Sequence, residues 1–141
     1  MRAMVGVVVV THCNLARELL DATRLIVGEE KAVEAMEAVS AQMSEMNEEL
    51  RKKIGGAIRR VDRGEGVLII TDMFGGTPSN LSLSFLEEGK VEVVTGVNLP
   101  MMVALANYRE GKSLRELAEF VASYGRKHIN LAHEILQRKS S

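Results

Sequence analysis

The sequence predicts an α/β fold built on a mostly parallel sheet, and three observations lead there. Runs rich in β-branched residues recur at 4–10, 67–71 and 91–95. Segments with helical spacing of apolar residues separate them, and strands alternating with helices imply crossover connections and parallel pairing. The length, 141 residues, is that of one domain with a core large enough to fold unaided. A single domain is therefore expected over 1–141.

Taken in order, 4–10 is continuously apolar, the pattern of a strand covered on both faces. Asn14 is placed to cap the helix that follows. Leu15, Leu19, Ala22 and Ile26 give that helix its stripe, and Gly28 its stop. The stretch 31–42, KAVEAMEAVSAQ, is rich in good helix formers, yet Val33, Ala35 and Val39 also fit period two, so helix and strand both remain open. Met43, Met46, Leu50, Ile54, Ala57, Ile58 and Val61 form a long helical stripe that Gly64 and Gly66 end. A second buried strand spans 67–71. A short helix over 77–86 carries Pro78 in its first turn, where proline is tolerated. The strand at 91–95 precedes a helix from Pro100 to about Tyr108. Ser113 and Glu116 form a capping box for the next helix, which Gly125 is expected to close. The tail fits a strand through Ile129 and Leu131, or a helix through Ile129, Ala132 and Leu136.

Composition removes several function classes. The formal net charge is −1 and the basic clusters are mixed with acids, so no nucleic-acid partner is expected. Cys13 is the single cysteine, which excludes an internal disulfide and a thiolate zinc cluster. No apolar segment reaches the roughly 18 residues of a spanning helix, so a cytoplasmic protein without membrane insertion is expected. The absence of G-x-G-x-x-G argues against a nucleotide- or flavin-binding domain of flavodoxin-like shape. ANYREGKS at 106–113 imitates a phosphate-binding loop, but Ala106 replaces its first glycine and Ser113 serves better as a helix cap. His128 and His133 stand among basic residues without a carboxylate or cysteine cluster. No metal and no cofactor is expected.

In parallel α/β sheets ligands bind outside the carboxyl ends of the strands. Three polar, glycine-bearing segments fall there: THCN (11–14), DMFGGTPSN (72–80) and TGVNLP (95–100). His12 stands at a strand end beside a helix N-terminus, a setting that favours negative charge, so a phosphoryl group on its ring would be stabilised. Asp72 occupies the equivalent place on the second strand. If the two strands are neighbours, it can fix the tautomer of His12 and leave the other ring nitrogen free. Gly75 and Gly76 let backbone amides approach an anion, and Thr77 adds a hydroxyl.

VGVVVVTH, GVLIITDMFGGTPSN and VVTGVNLPMMVAL, at this spacing, resemble the enzyme IIA component of the mannose-family phosphoenolpyruvate:sugar phosphotransferase system. The resemblance covers nearly the whole chain. The related dihydroxyacetone-kinase phosphotransfer subunits share the strand-and-histidine start but generally lack the Gly-Gly-Thr-Pro loop. The resemblance implies a four-stranded parallel sheet in order 2-1-3-4 with helices on both faces. It also implies a homodimer that exchanges an antiparallel fifth strand from the C-terminal segment. It turns residues near 32–39 into a strand and part of 127–133 into the exchanged one. It further implies that His12 is the phosphorylated residue, accepting from the phosphocarrier protein HPr and passing the group to a IIB component on a separate chain. Asp72 would hold the Nδ1 side of the ring. Thr11, Cys13, Gly75, Gly76 and Thr77 would surround the phosphate, and Met73 and Phe74 would belong to the partner surface. A regulatory role without transport would use the same histidine. One departure stands out: the family commonly has glycine after the histidine, and this chain has Cys13.

Overall fold

Val7, Val8, Val9 and Val10 are all 0% exposed, which places the first strand at the centre of a sheet covered on both faces. The computed structural model describes residues 3–139 of the domain expected over 1–141. Its strands are β1 (Gly6–His12), β2 (Met36–Ala41), β3 (Val67–Thr71) and β4 (Val91–Thr95). All pair in parallel, in the order 2-1-3-4. The helices are α1 (Leu15–Val27), α2 (Asn47–Val61), α3 (Thr77–Leu83), α4 (Leu99–Tyr108), α5 (Leu114–Lys127) and α6 (Ala132–Lys139). Among the described residues no helix is long and apolar enough to cross a membrane.

Strand alternation divides the core in two. Val7 and Val9 pack with Leu68 and Ile70 under α1, α4 and α5. Val8 and Val10 pack with Val67 and Ile69 under α2 and α3. Burying each such side chain contributes about 1.5–3 kcal/mol, so the strand that carries His12 is anchored along both faces.

Several expectations are corrected. The stretch 31–42 forms a short 3-10 turn, Glu30–Val33, and then β2, later than the 32–39 expected. Burial of Met36 and Val39 overrides helix propensity there. The buried Arg109 guanidinium donates to the carbonyls of Val5, Glu34 and Ala35, fixing the entry to β2 against β1. Met43 and Met46 are not in the α2 stripe: they stand 99% and 67% exposed in the loop before it. A turn from Glu45 N–H to the Gln42 carbonyl delays the helix start. Gly125 does not close α5. It lies buried inside the helix, where a Cβ would stand 2.6 Å from Met101 Sδ, so its smallness lets α5 approach α4. Within the single chain described, 127–133 forms no strand. Ala132–Lys139 is α6, begun by the Leu131 carbonyl accepting from the Glu134 and Ile135 N–H groups, and its Ala, Leu, Gln, Arg and Lys are strong helix formers.

Candidate functional site

β1 and β3 lie side by side with Val10 opposite Thr71, so the residues ending each strand meet at the carboxyl edge. His12 is the last residue of β1 and Asp72 follows β3. Asp72 Oδ2 accepts the His12 backbone N–H at 3.0 Å and lies 2.8 Å from His12 Nδ1; Oδ1 accepts the Met73 N–H at 3.0 Å. Facing an ionised carboxylate, Nδ1 is the ring nitrogen that holds a proton and donates it, so in the neutral imidazole the lone pair is on Nε2. Burial alone would push the Asp72 carboxyl up. The His12 backbone N–H, then the ring hydrogen bond and charge, more than offset that and hold it below the ordinary value. The histidine side chain is 50% exposed and the aspartate 12%, so the ring reaches solvent while its partner stays shielded.

The glycine loop is shaped around this ring. Gly75 has φ +100°, a left-handed conformation that other residues rarely adopt. Gly76 has ordinary φ, but a Cβ there would stand 2.8 Å from His12 Cε1 and 3.1 Å from Nε2. Glycine is thus needed at 75 for backbone reasons and at 76 for space. Gly76 also caps α3, whose start has no side-chain cap; Pro78 brings no N–H and the Asn80 N–H donates to the Gly76 carbonyl at 2.9 Å.

The start of α1 is different. Asn14 holds the expected cap position but makes no capping bond. Thr11 Oγ1 accepts the Ala16 N–H at 2.8 Å and donates to the His12 carbonyl at 3.1 Å. Thr11 is 0% exposed. Its hydroxyl is consumed in shaping the strand-to-helix turn and is closed off from the cleft's solvent. Cys13 is exposed at φ +50°, and its N–H donates to the Ala41 carbonyl at 2.9 Å, tying the turn to the end of β2.

A cleft of about 230 Å³ opens beside the ring, between His12, Cys13 and Thr77 on one side and Gln42, Glu45 and Asn47 on the other. The second wall was missed from sequence, because it follows the segment left open between helix and strand. The signal existed: once 36–41 pairs with β1 and Ala41 lies opposite His12, the loop after it must border the histidine. Met73 and Phe74 are 55% and 72% exposed on the neighbouring loop.

The segment 95–100 supports the site from behind. The Gly96 and Val97 N–H groups both donate to the Thr71 carbonyl at 3.0 Å, while Asn98 caps α4 and donates to the Gly125 carbonyl. The loop-like motif at 106–113 is absorbed by helix ends, with Ser113 and Glu116 forming the expected capping box. His128 stacks on Tyr124 with its Nδ1 2.7 Å from the Tyr124 carbonyl. Among the described residues no three His, Cys, Asp or Glu side chains gather as metal ligands would.

The model of the family described as PTS system fructose IIA component matches residues 6–122. The fructose-specific EIIA component of Bacillus subtilis (strain 168) is 27% identical over 136 residues, 96% of this chain and 91% of that protein. The mannose-specific EIIAB component of Escherichia coli (strain K12) is 29% identical over 127 residues, 89% of this chain; the chain spans 38% of that longer protein. Among solved structures, the PTS IIA protein associated with the fucose utilization operon of Streptococcus pneumoniae superposes with a TM-score of 0.80. It is 27% identical, with 96% of this chain and 99% of that one covered.

Proposed function

The chain belongs to the family of PTS fructose IIA components, and from that premise we propose that it carries a phosphoryl group on His12 Nε2 between HPr and a IIB component. The observation that carries this reading is the 2.8 Å contact between His12 Nδ1 and Asp72 Oδ2, which leaves Nε2 as the nucleophile. In the accepting step the Nε2 lone pair attacks phosphorus, the P–N bond to the HPr histidine breaks, and that bond's electron pair returns to the HPr ring. The donating step to IIB runs the same exchange in the other direction. Such a transfer needs positioning and charge stabilisation more than covalent chemistry from the protein. Asp72 stabilises the positive charge that develops on the ring. The Gly75–Gly76 backbone and the Thr77 hydroxyl face the phosphoryl oxygens. Met73 and Phe74 form part of the surface that HPr and IIB share.

The test is incubation with phosphoenolpyruvate, enzyme I and HPr. The chain should acquire an acid-labile, base-stable phosphate that His12→Ala abolishes; equal labelling of wild type and His12→Ala would remove the assignment. The same reading includes a homodimer, checked by sedimentation, for which a monomer at all accessible concentrations is the contrary result.

A further inference from the structure

The wall of the cleft opposite His12, Cys13 and Thr77 carries a carboxylate, which is the wrong charge beside a phosphoryl carrier. Glu45 and His12 line the same 230 Å³ cleft, and the Glu45 side chain is only 10% exposed. An uncompensated carboxylate there would repel the incoming phosphoryl oxygens. It is compensated: Lys53, from the second turn of α2, places its Nζ 2.8 Å from Glu45 Oε2. The same ammonium donates to the Ser40 carbonyl at 2.7 Å, at the end of β2. Glu45 Oε1 accepts the Gln42 N–H at 3.3 Å, so the pair also closes the loop that forms this wall.

We propose that Lys53 is a positioning residue for phosphoryl transfer, which keeps Glu45 neutralised and turned onto its own loop so that the cleft admits a phosphoryl group. The inference rests on the reading of His12 as the phosphoryl acceptor. It deepens that reading by assigning a charge-compensating wall to the site. Lys53 does not touch the transferred group; it acts through Glu45.

Two roles for Lys53 can be separated, since glutamine at 53 removes the charge while leaving a neutral amide donor on a shorter side chain. Labelling of His12 from phospho-HPr should fall about tenfold in Lys53→Gln, the scale of one uncompensated unit charge sharing a cleft with the reacting group. The deficit should shrink as ionic strength rises. Lys53→Arg should recover the rate, and so should Glu45→Gln introduced into the Lys53→Gln background. If Lys53→Gln labels as fast as wild type, or if the double variant stays as slow as Lys53→Gln, the pair is a loop clip only and the inference is overturned. The same series is run with phosphoramidate, a small phosphoryl donor, which reads the cleft without a protein partner. Wild type labelled by phosphoramidate but not by phospho-HPr would sink the HPr reading. The order of the Lys53 variants would still decide the inference.

Discussion

A Cβ added to Gly76 would stand 2.8 Å from His12 Cε1 and 3.1 Å from His12 Nε2, although the backbone at Gly76 is in a region open to any residue. The glycine is therefore required by the imidazole and not by the turn. Gly76→Ala should keep the fold, with a melting temperature near that of wild type, because the ring is half exposed and can move aside. That movement takes Nε2 away from its position, and displacement on the order of an ångström costs about 100-fold in a positioned reaction. Labelling rate and melting temperature measured on the same sample check this. A fully active Gly76→Ala protein would contradict it.

Asp72→Asn should slow phosphoryl transfer by about 10–100-fold, the usual effect of removing a carboxylate that orients a functional histidine. It should also alter the pH dependence of stability. The Asp72 carboxyl titrates below its ordinary value of 3.8 in the folded protein. Its stabilisation is therefore complete above the unfolded value and is lost as pH falls through the folded one. Wild type should be more resistant to urea than Asp72→Asn at about pH 5, and the gap should narrow towards about pH 2. A gap that widens on acidification would reverse the assigned direction.

The elements that sequence made plain are those whose local pattern and tertiary position agree. Val67–Ile70 is apolar and the whole of β3 is buried; Ser113 and Glu116 form the capping box their spacing announces. His12 and Asp72 were legible because both end buried strands, and neighbouring strand ends meet. The second cleft wall was not, because β2 lies at the sheet edge, where burial is partial and Ala, Glu and Met dilute the strand signal. The bonding of Thr11 Oγ1 to the Ala16 N–H and the His12 carbonyl is not legible either, since no sequence pattern distinguishes a hydroxyl turned towards a ligand from one turned onto a helix start. Gly125 carried the appearance of a helix stop; its partner Met101 is 24 residues away in sequence and close only after α4 and α5 pack.

Cys13 holds φ +50°, where a side chain costs about 1–2 kcal/mol relative to glycine. Its side chain is exposed and its main anchor, the N–H bond to the Ala41 carbonyl, does not depend on it. Cys13→Gly should therefore be at least as stable as wild type, with a melting temperature higher by about 2–4 °C if the strain relief nets ~1 kcal/mol. Cys13→Val should be lower, since β-branching is least tolerated in the left-handed region. Thermal melts of the three proteins test the order Gly above Cys above Val, and a valine variant that melts highest would refute it.

Gly125 and Met101 set the distance between α4 and α5. A Cβ on Gly125 would meet Met101 Sδ at 2.6 Å and Cγ at 2.7 Å, so Met101, which is 2% exposed, would have to shift along the cleft that the two residues line together. Overpacking of this kind typically costs about 1–3 kcal/mol. The displacement would not stay local, because the Gly125 carbonyl accepts from Asn98 Nδ2, and the loop containing Asn98 donates through Gly96 and Val97 to the Thr71 carbonyl, next to Asp72. Gly125→Ala should thus lower the urea midpoint and also slow labelling of His12, while Met101→Ala in the same chain should recover part of both by vacating the volume. Separate responses, with stability lost and labelling untouched, would show that the strut behind Asp72 does not transmit the shift.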